Sequence, residues 1–413
     1  MQLLAALAVL LAAPPLAPRD RTVLPPRPLP FQGSIEPTFR NSTPDWSAAL
    51  PLEAPEGAPN VLLVVLDDVG FAHLGAYGGP IDTPHLDALA ASGLRYTDFH
   101  TTALDSPSRG VLLTGRNHHA IGLAALTEAA TGFPASYGRI PRSAASLAEV
   151  LKGNGYSTLA AGKWHLTPYT DLTAAGPFEL WPLGQGFERF YGFLGGETDG
   201  SAPLLVRDNQ FIDVPRQRGY HLNEDLVDRT IGFIRDQQQA HTGRPFFAYL
   251  ALSACPAPKK LRGKYRGRFD AGWDTSREQT LERQKQLGVV PEDTRLSPRD
   301  PLVQPWSQLG AHEKKVYARL QESFAATLEH TDAQVGRLLA ALDALKLRES
   351  TLVLVLSANG ASQEGLRDGA TSPERAGNLD PQSVSELVQQ LDSIGGPGRD
   401  ARLPRGWALA GNT

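Results

Sequence analysis

N-V-L-L-V-V-L-D-D, residues 60–68, is the stretch on which the fold turns. An unbroken run of valine and leucine this short, closed by polar residues, is the pattern of a strand covered on both faces. Such strands belong to parallel sheets, whereas a half-solvated strand would alternate. P-F-F-A-Y-L-A-L at 245–252 repeats the pattern as another buried strand, and T-L-V-L-V-L-S at 351–357 is a further strand. A fourth strand is predicted over 157–161. Between the strands lie stretches with helical periodicity or helix stop signals. Residues 84–92 form one, stopped at Gly93. A second begins near Ser106 and carries Val111, Leu112 and Leu113. A third covers 144–154, ended by Gly155, and a fourth 223–239. The longest is 311–345, with Val316, Leu320, Phe324 and Leu328 four apart, then Val335, Leu338, Leu339 and Leu342. Strands alternating with helices predict an α/β fold, a doubly wound, mostly parallel sheet with helices on both faces.

The chain has 413 residues, 41% hydrophobic and 20% charged, with a formal net charge of −4. That is a globular composition with no basic footprint for nucleic acid and no charge attraction to an anionic membrane. Its one cysteine, Cys255, allows no intrachain disulfide and reads as a small buried group. The apolar run at 3–13 is too short for a bilayer but suits the core of a secretory signal, so 1–18 is read as a signal peptide. Export, most simply to a bacterial periplasm, is the expectation. Residues 19–57 are proline-rich and patternless, an extended arm. Residues 58–413 form the α/β domain, with an irregular lip at 259–305. The composition leaves the oligomeric state open.

In open α/β sheets the chemistry gathers beyond the carboxyl ends of the strands. Asp67 and Asp68 follow the first strand, Lys163 and His165 the strand at 157–161, and Asn359 the last. Taken singly, Asp and Asn there are ordinary turn and cap residues, and Trp164 reads as core. Together, adjacent carboxylates and a side-chain carbonyl suit a hard divalent cation. The segment D-S-P-S-R, residues 105–109, opens a helix whose outward N–H groups and Arg109 offer an anion site.

D-S-P-S-R-G-V-L-L-T-G-R (105–116), followed by Asn117, His118 and His119, resembles the signature of the arylsulfatases. The resemblance extends through V-L-D-D-V-G (65–70), T-P-H-L-D-A-L-A (83–90), G-R-I-P-R (138–142), G-K-W-H-L (162–166), L-E-H-T-D-A-Q-V-G-R-L (328–338) and S-A-N-G-A-S (357–362). It implies the alkaline-phosphatase-like fold, sulfuric ester hydrolysis of small anionic aryl sulfates, and one divalent cation, calcium first and magnesium second. By that resemblance Asp67, Asp68 and Asn359 are metal ligands. Arg109 and Lys163 bind or neutralise sulfate, and His165 is a base.

Three matched positions depart from the family pattern. Asp105 stands where the family has the Cys or Ser that becomes formylglycine, so that cofactor is not expected. Ala358 stands in place of a third metal aspartate, and Pro256 in place of a histidine that protonates the leaving oxygen. The chain also stops at W-A-L-A-G-N-T, before the segment where the family carries a further active-site lysine and a small carboxy-terminal subdomain. Because one carboxylate is lost at 358 and one gained at 105, Asp105 is expected to join Asp67, Asp68 and Asn359 around the cation. Three functional readings follow. One is an arylsulfatase-family protein impaired in catalysis, acting as a metal- or anion-binding pseudoenzyme. Another is a phosphate or sulfate ester hydrolase using Asp105 or metal-activated water. The last is a decayed gene fragment.

Overall fold

Strand β1 (Asn60–Leu66) lies between two parallel neighbours, β6 (Phe246–Ala251) and β7 (Thr351–Ser357). Covered on both edges and both faces, it has no use for polar residues until its carboxyl end. Leu62, Val64 and Leu66 enter the apolar cluster on one face, Leu63 and Val65 the cluster on the other, as the two-residue period of a strand requires. The computed structural model describes residues 30–46, 52–214, 219–240, 243–372, 380–396 and 398–413. The predicted signal peptide and the first part of the arm lie outside the described residues.

The sheet has seven strands in the order β5-β4-β3-β2-β6-β1-β7. β2 (Ser157–Lys163) runs parallel to β6 and to β3 (Arg189–Phe193). The short strands β4 (Leu205–Arg207) and β5 (Gln210–Ile212) close that side as an antiparallel hairpin. The expected mostly parallel α/β sheet is therefore present, with an antiparallel margin. Three-residue strands with polar ends carry too little periodicity to be seen beforehand.

Helices cover both faces. The first three are α1 (Pro84–Ala91), α2 (Asp105–Thr114) and α3 (Leu147–Lys152). They are followed by α4 (Leu222–Gln239) and α7 (Ala311–Ala344). At about 1.5 Å per residue, α7 is about 50 Å long. It buries Val316, Leu320, Leu328, Val335, Leu338 and Leu342 against the sheet side that also holds α4. None of the helices among the described residues is long and apolar enough to cross a membrane.

The segment 259–305 differs from the irregular lip expected. It contains α5 (Lys259–Lys264) and α6 (Gly272–Gln286). The buried side of α6 carries Trp273, Arg277, Thr280 and Gln284. Their spacing is helical, but three of the four are polar, so no hydrophobic period announces the helix. Those polar groups are satisfied by the end of the chain and a loop: Gln284 Nε2 donates to the Thr413 carbonyl, and Arg277 to the Ser297 carbonyl. Two short helices, α8 (Val384–Gln389) and α9 (Arg405–Gly411), complete the described structure. Trp407 of α9 packs edge-on against Trp273, with Trp306 beside both.

The last turn of β2 requires glycine. Gly162 has φ +100°, and a Cβ there would stand 1.8 Å from the Ala251 carbonyl oxygen of β6. Gly162→Ala is expected to cost about 3 kcal/mol or more of unfolding free energy, since left-handed strain and backbone displacement add. Urea unfolding checks it, and a variant as stable as the parent would contradict this account of the β2–β6 approach.

Candidate active site

Every predicted site residue sits at the carboxyl edge of the sheet or at the start of α2. The chain arrives at α2 extended, through Leu104 at φ −122° and ψ 147°. The Ser106 backbone N–H donates to Asp105 Oδ1 at 2.6 Å, and the carboxylate lies on the first turn, where a negative charge is favoured. One turn later Arg109 is fully buried. Lys163 is the last residue of β2, and the chain stays paired beyond it: Trp164 and His165 N–H donate to the Phe193 and Leu194 carbonyls at 3.0 Å. Alternation then sends Lys163 and His165 to the site and Trp164 to the core, where its indole N–H donates to the Leu180 carbonyl. His165 reaches its place with φ +52°.

These side chains form one ionic network, buried except where it reaches Glu128. Lys163 Nζ donates to Asp67 Oδ2 at 3.0 Å and forms a close ion pair with Asp105 Oδ2. The Arg109 guanidinium lies 3.5 Å from Asp67 and 3.6 Å from Asp105, and donates to Tyr249 Oη at 3.1 Å. His165 Nδ1 is 2.9 Å from the Asp105 carboxylate, and Nε2 is 2.9 Å from Glu128 Oε2. Asp67, Asp105 and Glu128 thus face Lys163, Arg109 and His165, three charges against three. Glu128 escaped the sequence reading. It lies in a single 3-10 turn (Thr127–Ala129) within irregular chain and belongs to no recognisable pattern.

The electrostatics follow from this pairing. Burial alone would raise the Asp105 carboxyl, but Lys163, His165 and Arg109 hold it far below the usual carboxylate range. Burial would likewise discharge His165, yet its hydrogen bonds to Asp105 and Glu128 raise it above an ordinary imidazole. Partial burial would raise Glu128, whose side chain is 44% exposed, but the same histidine draws it down to about 2. Asp68 lies outside the network. Burial, with Asp67 beside it, pushes it up to about 6.

The expected set Asp67, Asp68, Asp105 and Asn359 divides into two. Asp67 and Asp105 turn to Lys163, while Asp68 accepts from Asn359 Nδ2 at 2.9 Å. Asn359 Oδ1 is buried without a partner. Among the described residues, no three His, Cys, Asp or Glu side chains converge as the ligands of one metal ion. The donor chemistry is that of a hard divalent cation, but the arrangement does not fit one, since an ammonium bridges two of the expected ligands. Ala358, in the third aspartate's place, is buried in an apolar cluster, and its N–H donates to the Leu66 carbonyl. Pro256 lines the cleft above the network. That cleft encloses about 1660 Å³, and Leu94, Tyr96, Phe99 and Tyr169 stand exposed along it.

The family model described as Sulfatase matches residues 59–384. An uncharacterized sulfatase of Schizosaccharomyces pombe is 31% identical over 328 residues, covering 75% of this chain and 59% of that protein. An arylsulfatase of Klebsiella aerogenes is 27% identical over 378 residues, covering 87% and 76%. Arylsulfatase A of Bos taurus is 37% identical over 232 residues, covering 50% and 43%. The chain therefore spans about three-fifths of the length of the S. pombe relative. Among solved structures, yidJ from Bacteroides fragilis superimposes with a TM-score of 0.54 at 20% identity, covering 75% of this chain and 64% of that one. Ps i-CgsB in complex with k-i-k-neocarrahexaose gives 0.51 at 23%, covering 74% and 59%. These two likenesses concern the fold.

A testable consequence concerns His165. Its folded pKa is raised, so the stability it contributes is complete below the pKa of the unfolded imidazole and is lost as pH rises through the folded value. The stability of the parent over His165→Gln should therefore shrink as pH rises above the ordinary imidazole pKa of about 6.5. Chemical denaturation over a pH series measures it, and a difference that grew with pH would refute the assignment of a protonated His165.

Proposed function

The chain belongs to the sulfatase family, with the alkaline-phosphatase-like fold, and we propose that its site binds ligands without cleaving sulfuric esters by the family's route. The observation that carries this reading is the Asp105 carboxylate, in contact with Lys163 and His165 and 3.6 Å from Arg109. Ester cleavage of this kind needs a nucleophile, neutralisation of the departing sulfate, and a proton for the leaving oxygen. Asp105 bears on all three.

As a nucleophile it is poor, because its negative charge is already shared among three cations. As an occupant it removes those cations from service: Lys163, Arg109 and His165 are the groups a sulfate would need. It also repels the incoming anion. Two like charges about 4 Å apart at an effective dielectric constant of about 20 repel by about 4 kcal/mol. A proton for the leaving oxygen has no evident source, since Pro256 cannot supply one and both ring nitrogens of His165 are engaged.

In this reading the cleft above the network keeps a binding role, and the amino-terminal apolar run serves export. The ligand class inherited with the fold is a small anionic ester, but Asp105 stands against its anionic group. Hydrolysis through Asp105 as an acyl-forming nucleophile is the competing reading. It requires the carboxylate to give up its contacts with Lys163 and His165, leaving Lys163 with Asp67 and His165 with Glu128 alone.

The test is turnover of an aryl sulfate and an aryl phosphate by the purified chain, together with binding of inorganic sulfate. The parent is expected to turn over neither ester. Asp105→Ser, which frees the three cations, should bind sulfate about tenfold or more tighter than the parent, equivalent to about 1.4 kcal/mol or more. Turnover by the parent that disappears in Asp105→Ala would overturn the proposal and establish Asp105 as a nucleophile.

A further inference from the structure

We propose that the resident cation of this site is the Lys163 ammonium itself, held between Asp67 and Asp105, and that the chain keeps this site folded without a divalent metal ion. The inference rests on the same residues as the proposed function but not on the absence of turnover. It concerns what neutralises the strand-end carboxylates.

Lys163 Nζ touches one oxygen from each carboxylate, Asp67 Oδ2 and Asp105 Oδ2, and all three side chains are more than nine-tenths buried. Arg109 approaches the same two carboxylates from the other side. Two negative and two positive charges thus close on one another. A buried pair persists only when each member is compensated, and here each is. A divalent ion entering between Asp67 and Asp105 would set four positive charges against two negative ones. Were the ammonium expelled instead, it would lose the only acceptor side chains it contacts among the described residues.

The remaining oxygens do not make a second site. Asp68 and Asn359 are hydrogen-bonded to each other, and Ala358 contributes a methyl group to the core. Calcium takes about six to eight oxygens, and magnesium demands a near-octahedral set. One carboxylate and one amide fall well short.

The residues at 105 and 358 belong to one change in this account. Without a carboxylate at 358, a cation above the strand ends loses a ligand. With a carboxylate at 105, on the favourable first turn of α2, Lys163 gains the second acceptor that lets it remain buried and charged. The number of carboxylates is conserved, but one has moved from the end of β7 to the partner of a lysine.

The experiment uses the full purified chain and reads metal rather than activity. Elemental analysis is expected to find calcium and magnesium well below one ion per chain. Thermal melting should be unchanged by a chelator and by millimolar calcium. Lys163→Met, which vacates the position between the carboxylates, should bind calcium about tenfold or more tighter than the parent by titration calorimetry. Lys163→Arg, which keeps a cation there, should remain indifferent to calcium. A stoichiometric divalent ion in the parent, or a melting point that falls with chelator, would overturn the proposal. So would a folded Lys163→Met with no gain in calcium affinity. If Lys163→Met does not fold, the parent's own metal content and chelator response decide. Ester turnover by a metal-free parent would overturn the proposed function alone, and calcium dependence in a silent parent would overturn this inference alone.

Discussion

A lysine buried at the end of a parallel strand must find carboxylates, and the arrangement of this site follows from how Lys163 finds two. The end of β2 lies deep in the sheet edge, beside β6 and within reach of the residue following β1. An ammonium there is costly to bury unless it is paired and hydrogen-bonded. Asp67 meets it from β1 and Asp105 from the first turn of α2. Once those contacts exist, Arg109, His165 and Glu128 have fixed partners, and Asp68 is left outside with Asn359.

The sheet supplies the rigidity this network needs. β1 pairs with both β6 and β7 over most of its length, so Asp67, Asp68 and Asn359 are set in register by backbone hydrogen bonds. β2 pairs with β6 and β3 through Gly162, whose missing side chain allows the close approach that positions Lys163. Strand ends arranged in this way are where α/β proteins place chemistry. The scaffold is that of a sulfatase, and the charges placed on it pair with one another.

Much of this was legible in the residues. The continuous apolar runs within 60–68 and 245–252 announced buried parallel strands, because a strand covered on both faces can dispense with polar alternation, whereas the strand read at 351–357 forms the sheet edge and leaves Leu352 and Leu354 exposed. The placement of Asp67, Asp68, Lys163, His165 and Asn359 at strand ends, and of Asp105 and Arg109 at a helix start, was readable from the same boundaries. The helix at 272–286 was not, because its buried face is made of Arg277, Thr280 and Gln284, whose partners lie at 297 and at the chain's end. Glu128 was invisible for a related reason, since its significance depends on a contact with a residue 37 positions away.

Sequence by itself determined the family, the parallel centre of the sheet, and all but Glu128 of the ionisable groups described at its edge, because these depend on local patterning and strand boundaries. It could not determine which of those groups pair. Four oxygen-bearing residues at two strand ends and one helix start are equally consistent with a shared metal ion or with separate hydrogen bonds. Only the tertiary structure shows the pairing, with the Lys163 ammonium between Asp67 and Asp105 and Asp68 hydrogen-bonded to Asn359. The physical reason is that buried charges are assigned by distances of about 3 Å, and such distances exist only after the chain has folded.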